Sequence, residues 1–368
     1  MPVQTPRRTV QDLLPSLAPV RFVTEDGTAV QPPPAYPRPA DELLQEAYRR
    51  MVLGRRFDTQ ATALTKQGRL AVYPSSRGQE ACQIAAALVL RPDDWIFPTY
   101  RDSVALVARG VDPVEVLTLL RGDWHCGYDP VARRVAPQCT PLATQGPHAV
   151  GLADAQRRRG TDNVVLALTG DGGTSEGDFH EALNFAAVLH APVVFFVQNN
   201  KYAISVPLSR QSAAPSLAYK GIGYGVRSEQ VDGNDLVAVL AVLGRAMEHA
   251  RFGHGPFLVE AHTYRMEAHT NADDATRYRE SAEVEQWAAA DPLTRLETYL
   301  KSGGLLTDEQ IGAARTAAEG FAADVRDRMN RDTEPDYLEL FDHVYAEPTT
   351  QLREQRELLA AELTAQED

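Results

Sequence analysis

Apolar residues recur at the i, i+3, i+4 and i+7 spacing through 40–64 (ADELLQEAYRRMVLGRRFDTQATAL), which predicts a helix with one buried face. A second helix is expected over 78–90 (GQEACQIAAALVL), opening at a glycine, and another over 112–120 (DPVEVLTLL). Between them WIFPTYRD, 95–102, reads as a short strand or turn, and 121–140 as irregular loop. From residue 146 the pattern alternates. A helix over 146–160 precedes the apolar run NVVLALTG (163–170), an amphipathic helix over 177–190 follows, and then comes a second apolar run, PVVFFVQ (192–198). Continuous apolar runs of this length suit strands covered on both faces, so the unit is βαβ with parallel strands and a right-handed crossover. VRSEQVDG (226–233) and PFLVEAHTYR (256–265) predict two more strands around a helix at 235–253. Helices are then expected over 281–290, 307–329 and 350–363. The fold class is therefore α/β: a doubly wound, mainly parallel sheet at roughly 90–270, between helical N- and C-terminal segments. Residues 1–40, with QPPPAYPRP at 31–39, form an extended proline-rich arm, suited to lying on a partner. Residues 41–365 form a single domain whose helical C-terminal region starts at about 281.

Composition changes this picture mainly by exclusion. With 368 residues, 43% of them hydrophobic, the chain has enough material for a large buried core. No apolar run approaches the ~20 residues of a membrane span, and the first twenty residues lack a continuous apolar signal segment. The expectation is a soluble, cytoplasmic protein without a membrane partner. A net charge of −13 disfavours nucleic-acid binding. Cys82, Cys126 and Cys139 are odd in number and lack C-x-x-C spacing, which argues against a disulfide framework or a cysteine-based zinc site. His262 and His269 are seven apart, a poor spacing for a shared metal.

Candidate chemistry centres on LALTGDGGTSEGD, 166–178, where Asp171 sits among Gly170, Gly172 and Gly173 at the end of a predicted strand. Ligands of doubly wound sheets lie outside the carboxyl ends of the strands. The next strand runs into Asn199 and Asn200, 29 residues after Asp171, so a carboxylate and an amide oxygen are expected to converge from neighbouring strands. Two hard oxygen donors at an open edge suit Mg²⁺, which completes its shell with water and phosphates. The glycines allow tight turns and close approach of backbone N–H groups to a diphosphate, aided by the helix start near Gly177. Gly-Asp-Gly and Asn-Asn are each common turn sequences; their placement on one βαβ unit carries the signal.

GDGGTSEGDFHEALNFAAVLHAPVVFFVQNNKYAIS (170–205) resembles the thiamin-diphosphate motif, and within that superfamily the alpha subunit of 2-oxo acid dehydrogenases. The likeness runs from about 40 to 363 and includes KQGRLAVYPSSRGQEACQ, FPTYRD, PLATQ, HTYRMEAHTNADDATRYR and FDHVYAEPTTQLREQ in the family's order. The resemblance implies Mg²⁺ held by Asp171, Asn200 and the backbone oxygen of Tyr202. It implies thiamin diphosphate bound by Tyr100, Arg101, Thr140, Leu142, Gly170, Gly172, Gly173, Gln198, Ala203 and His269, besides Asp171 and Asn200. Gln198 replaces a phosphate-binding arginine of some branched-chain relatives. Thr144 and Gln145 fall where some relatives bind potassium. His269 is the catalytic candidate, in a lid where Arg265 supports the loop and Asp273 or Asp274 fixes its turn. Thr270 stands where some relatives carry a regulated serine.

The glutamate that serves the cofactor's aminopyrimidine belongs, in this family, to a separate beta subunit, which implies half an active site completed by a partner in an assembly of two alpha and two beta chains. A lipoyl acyltransferase component would take the acyl group from a small 2-oxo acid. PLATQ and VRFVTEDGT (20–28) lean to a branched-chain substrate, while TGDGGTSEGDF and VQNN are also close to pyruvate dehydrogenase, and an acetoin dehydrogenase stays open. Val72 matches a position that is phenylalanine in some branched-chain enzymes. A noncatalytic scaffold is opposed by retention of Asp171, Asn200, Tyr202, Arg101 and His269, and a nicotinamide dehydrogenase by the lack of G-x-G-x-x-G at the first βα turn.

Overall fold

A computed structural model describes residues 9–31, 33–123, 125–331 and 336–367. The helices in chain order are α1 (Asp41–Lys66), α2 (Glu80–Leu88), α3 (Ser103–Ala108), α4 (Pro113–Arg121), α5 (Pro130–Arg133), α6 (Gln145–Arg158), α7 (Gly177–Leu189), α8 (Leu236–Arg251), α9 (Ser281–Ala289), α10 (Pro292–Ser302), α11 (Asp308–Met329) and α12 (Thr350–Glu367). The strands are β1 (Trp95–Phe97), β2 (Val165–Gly170), β3 (Val193–Asn199), β4 (Tyr202–Ala203), β5 (Val206–Pro207), β6 (Arg227–Asp232) and β7 (Phe257–His262). Five of them make one sheet in the order β1-β2-β3-β7-β6, every neighbouring pair parallel. The predicted parallel α/β sheet is present.

Every residue of β3 is buried, as its uninterrupted apolar sequence requires. Alternation along the strand sends Val193, Phe195 and Val197 to one face, against Phe179, Ala182 and Leu183 of α7 and Ala149 and Ala153 of α6. The other face is covered by α8, which packs on α2, and α2 in turn on α1 and α3. Phe195 and Phe196 thus anchor opposite layers, and truncating either to alanine costs about 3–5 kcal/mol. The step from β2 to β3 moves across the sheet one way and the step from β6 to β7 the other. The reversal falls between β3 and β7, the place where such sheets leave a crevice.

Some local structure departs from expectation. α3 forms directly after the strand–turn at 95–102, a six-residue apolar helix too short to show a period. The stretch NNKYAIS and the two residues after it, Val206 and Pro207, supply the β4–β5 hairpin. The described part of the proline-rich arm packs on its own chain: Val20 pairs with Val231 of the edge strand β6, Phe22 N and Val23 N donate to Asp235 at 2.7 Å, and Tyr36 Oη donates to Glu229 at 2.6 Å. It caps the edge strand, whose open N–H and C=O groups would otherwise invite pairing.

Contacts divide the chain into two compact units, Met1–Arg328 and Met329–Asp368. In the second, α12 packs on the turn Tyr337–Phe341, whose first N–H groups are capped by Asp336 accepting from Leu338 N at 2.9 Å. Among the described residues no helix is long and apolar enough to cross a membrane.

Candidate active site

Gly170 pairs with Gln198 in register, so Asp171 and Asn200 leave adjacent strands side by side. Asn200 N donates to Asp171 Oδ1 at 3.2 Å and Gln211 Nε2 to Asp171 Oδ2 at 2.8 Å. Asp171 is 1% exposed, and burial pushes its carboxyl upward against the pull of those two donors and of Lys201. A carboxylate desolvated this far, with a cavity of about 440 Å³ above it, is poised for a cation. Asn200 Oδ1 accepts from Tyr202 N at 3.3 Å, and the β4–β5 hairpin that follows forms one wall.

Backbone conformation is unusual here. Lys201 (φ 76°) and Ile204 (φ 55°) are left-handed on either side of β4, and Ala143 (φ 65°) is left-handed two residues before α6. For residues with a Cβ this costs roughly 1–2 kcal/mol each, and such strain concentrates where function needs a set geometry. The glycines do something different from what the sequence implied. None of Gly170, Gly172 and Gly173 has positive φ. Two of them are required for room: a Cβ on Gly173 would stand on Thr169 Oγ1, and one on Gly172 would come within 2.7 Å of Ala203 Cβ, whereas one on Gly170 would meet open space.

Opposite this floor lies the loop between β7 and α9. Arg101 Nη1 donates to Ser75 O at 2.9 Å, and its Nη2 reaches both His269 O and His269 Nδ1 at 3.0 Å. Arg265 Nη1 stands 3.4 Å from the same Nδ1, while Arg265 Nη2 donates to Ile204 O at 2.6 Å and Tyr278 Oη at 2.8 Å. Guanidinium groups only donate, so Nδ1 is the unprotonated nitrogen and His269 is a neutral Nε2–H imidazole. Burial first, then the two arginines, pushes it down to about 4. Asp273 fixes the turn, accepting from His269 N at 2.7 Å and from Tyr278 Oη, whereas Asp274 caps the next turn by accepting from Thr276 N at 3.1 Å. Asp58, buried among Tyr73, Ser75 and Ser76, holds the loop that carries Ser75 O.

The cavity is bordered by Tyr100, Arg101, Leu142, Gly170, Asp171, Gly172, Gly173, Gln198, Asn200, Tyr202, Ala203 and His269, so nearly all sequence candidates meet in one place. Thr140 is exposed and outside that lining, which passes through its neighbours Cys139 and Pro141. Gln198 turns both ends of its amide to protein, Gln79 at 3.0 Å and Asp102 at 2.7 Å. Gln145 Nε2 donates to Leu168 O at 2.8 Å, and Thr144 Oγ1 meets Cys139 Sγ at 2.8 Å. Val72 lies on a loop whose N–H bonds Leu120 O at 3.3 Å, outside the cavity lining. Sequence reasoning missed Gln79, Arg210 and Gln211. Nothing in their local pattern marks them: Gln79 arrives from the start of α2, and Arg210 and Gln211 together from the turn after β5.

The donor set fits a hard divalent cation. Among the described residues no group of three or more His, Cys, Asp or Glu is arranged to hold a metal by itself. Asp171, Asn200 Oδ1 and Tyr202 O offer a partial oxygen shell, the kind that Mg²⁺ completes with phosphates. Two buried oxygens that border the cavity, Gln145 Oε1 and Gln211 Oε1, have no hydrogen-bond partner in the protein and could serve a cation or its water.

Residues 48–336 match the family described as dehydrogenase E1 component. The 3-methyl-2-oxobutanoate dehydrogenase subunit alpha of Mycobacterium tuberculosis is 47% identical over 347 residues, covering 94% of this chain and 95% of that protein. The pyruvate dehydrogenase E1 component subunit alpha of Acholeplasma laidlawii is 38% identical over 326 residues (87% and 94% covered), and that of Staphylococcus aureus 37% over 342 residues (92% of each). A parallel sheet carrying an Asp-Asn pair at adjacent strand ends, together with similarity across nearly the whole length, places this chain in the dehydrogenase E1 component family.

Proposed function

We propose that this chain is the alpha subunit of the decarboxylating first component of a 2-oxo acid dehydrogenase complex, dependent on thiamin diphosphate and Mg²⁺, acting on a branched-chain 2-oxo acid of the 3-methyl-2-oxobutanoate type and delivering the acyl group to lipoamide. The observation that carries this reading is the juxtaposition of Asp171 and Asn200 under a lid that presents Arg101, Arg265 and a neutral His269. The higher identity to the 3-methyl-2-oxobutanoate enzyme than to the pyruvate enzymes supports the substrate class.

Asp171, Asn200 Oδ1 and Tyr202 O would hold the metal. Gly172, Gly173 and the start of α7 leave space for the diphosphate to approach backbone N–H groups. Arg101 and Arg265 offset its charge from the lid side, and His269, protonated at Nε2, acts as a hydrogen-bond donor and proton carrier at the reacting end. Bound thiamin diphosphate supplies a carbon acid able to take up the electron pair left by departing CO₂. Besides Asp171, the only carboxylate bordering the cavity among the described residues is Glu176, exposed at its rim. A beta subunit therefore brings the glutamate for the aminopyrimidine, in an assembly of two alpha and two beta chains, and a lipoyl acyltransferase receives the product. Rates of the two-chain enzyme with 3-methyl-2-oxobutanoate, pyruvate and acetoin test the substrate: preference for either of the latter two overturns that part. Absence of Mg²⁺-dependent thiamin diphosphate binding would instead make the chain a scaffold.

A further inference from the structure

Four buried side chains run from the floor of the cavity to the start of α3. Asn200 Nδ2 donates to Gln79 Oε1 at 2.9 Å, Gln79 Nε2 to Gln198 Oε1 at 3.0 Å, and Gln198 Nε2 to Asp102 Oδ1 at 2.7 Å. Asn200, Gln79, Gln198 and Asp102 are 6, 2, 2 and 0% exposed, so water does not compete for these bonds. A primary amide has one donating and one accepting end, and a chain made of amides alone is equally well satisfied in either direction. Asp102 removes that degeneracy. Its Oδ2 accepts from Thr99 N and Thr99 Oγ1, each at 2.7 Å, which leaves Oδ1 as an acceptor facing Gln198. Gln198 must then present Nε2 to it and Oε1 to Gln79. Gln79 must answer with Nε2 and turn Oε1 to Asn200, and Asn200 must direct its NH₂ inward, away from the metal side.

We propose that Asp102 is a positioning residue which, through Gln198 and Gln79, sets the polarity of the Asn200 amide so that a divalent cation meets oxygen and not NH₂. The inference rests on the metal assignment of the preceding subsection. Tyr202 N, donating to Asn200 Oδ1 at 3.3 Å, favours the same orientation from the cavity side; the relay supplies the shorter bonds. Groups that orient a ligand without touching the metal typically cost about 10–100-fold in metal affinity when changed.

The relay makes a directional test possible. In Asp102→Asn the side-chain oxygen must stay on Thr99 N, so an NH₂ now faces Gln198, every amide reverses, and Asn200 turns its NH₂ toward the cation. In the double variant Asp102→Asn with Gln198→Glu the acceptor-only group moves one station along, accepting from Asn at 102 and from Gln79 Nε2, and Asn200 recovers its original direction. Mn²⁺ titrated into the assembled two-chain enzyme with saturating thiamin diphosphate, with free Mn²⁺ followed by electron paramagnetic resonance, reads occupancy without turnover. The expected result is binding about tenfold weaker in the single variant, with most of that loss recovered in the double variant. Wild-type affinity in the single variant overturns the proposal, as does a double variant no better than the single one, which is the outcome of a purely structural role. If the wild-type enzyme takes up no Mn²⁺ in the presence of thiamin diphosphate, the metal assignment itself fails and the relay loses its purpose.

Discussion

The two sides of the cavity are built from different interactions. The floor consists of strand ends and neutral amides: register places Asp171 beside Asn200, and Gln79, Gln198 and Gln211 surround them. The lid is a loop held by charge, with Arg101, Arg265, Asp273 and Tyr278 gathered on His269. Burial disfavours the charged form in both regions, but on the lid the hydrogen bonds from Tyr278 and His269 N and the charge of Arg265 outweigh it at Asp273. Floor carboxyls such as Asp171 and Asp102 are pushed up, whereas Asp273 is held below the usual carboxylate range and His269 is pushed down. The floor keeps its geometry through packing. The lid keeps its geometry through ionic state, so solution conditions reach it first.

The largest effect should come from the floor. Asp171→Asn is expected to reduce metal-dependent decarboxylation by more than about a hundredfold, since even groups one step from a metal cost 10–100-fold. Its apo form should melt close to wild type, because loss of a buried charge offsets the donor, Asn200 N or Gln211 Nε2, that the new NH₂ cannot accept from; a clearly lower melting temperature would show that Asp171 is structural. On the lid, His269→Ala is expected to lower kcat by about a hundredfold, the low end for a proton-transfer group, with subunit assembly unchanged by ultracentrifugation. An unchanged kcat removes His269 from the reaction.

Gly78→Ala attacks the joint between the two sides. Gly78 has φ +94° and a Cβ there would stand on the carbonyl of Tyr264, the residue before Arg265. A loss of about 1–3 kcal/mol in thermal or denaturant unfolding is expected, with faster proteolysis of the lid.

The smallest effect is the pH response. A histidine whose folded pKa is lowered contributes stability that is complete above its unfolded value near 6.5 and lost as pH falls toward about 4. Asp273, also lowered, contributes above its unfolded value near 3.8 and loses that contribution in more acid solution. Asp171 and Asp102, being raised, contribute most at low pH and less as pH rises. Hydrogen exchange of the apo protein should therefore show amides of 268–274 losing protection between about pH 6.5 and 4 while those of β2 and β3 keep theirs. Equal loss in both regions would erase the distinction.

The sequence carried the floor more fully than the lid. Two apolar runs separated by one helix required two adjacent parallel strands, and whatever followed each run had to appear at the same sheet edge. That is why Asp171 and Asn200 could be paired from spacing alone. The βαβ alternation likewise specified the layers, through continuous apolar runs and an amphipathic helix between them. Other features lay below the resolution of pattern. The two-residue strands of the β4–β5 hairpin have no period to read, and the five apolar residues of α3 look like any short apolar run. The glycine turn was legible as a close approach but not as the packing of Gly173 on Thr169, since that contact is made across a turn.

What the chain alone determined, then, is which polar residues stand at strand ends, because local periodicity and the right-handed crossover leave few alternatives. Only the tertiary structure decided how those residues are oriented and charged. Gln79 and Asp102 reach Gln198 and Asn200 from other segments, and Arg101 reaches His269 across 168 residues of chain. Amide direction and imidazole tautomer depend on which donor or acceptor is delivered by a distant segment, and no local spacing encodes that choice.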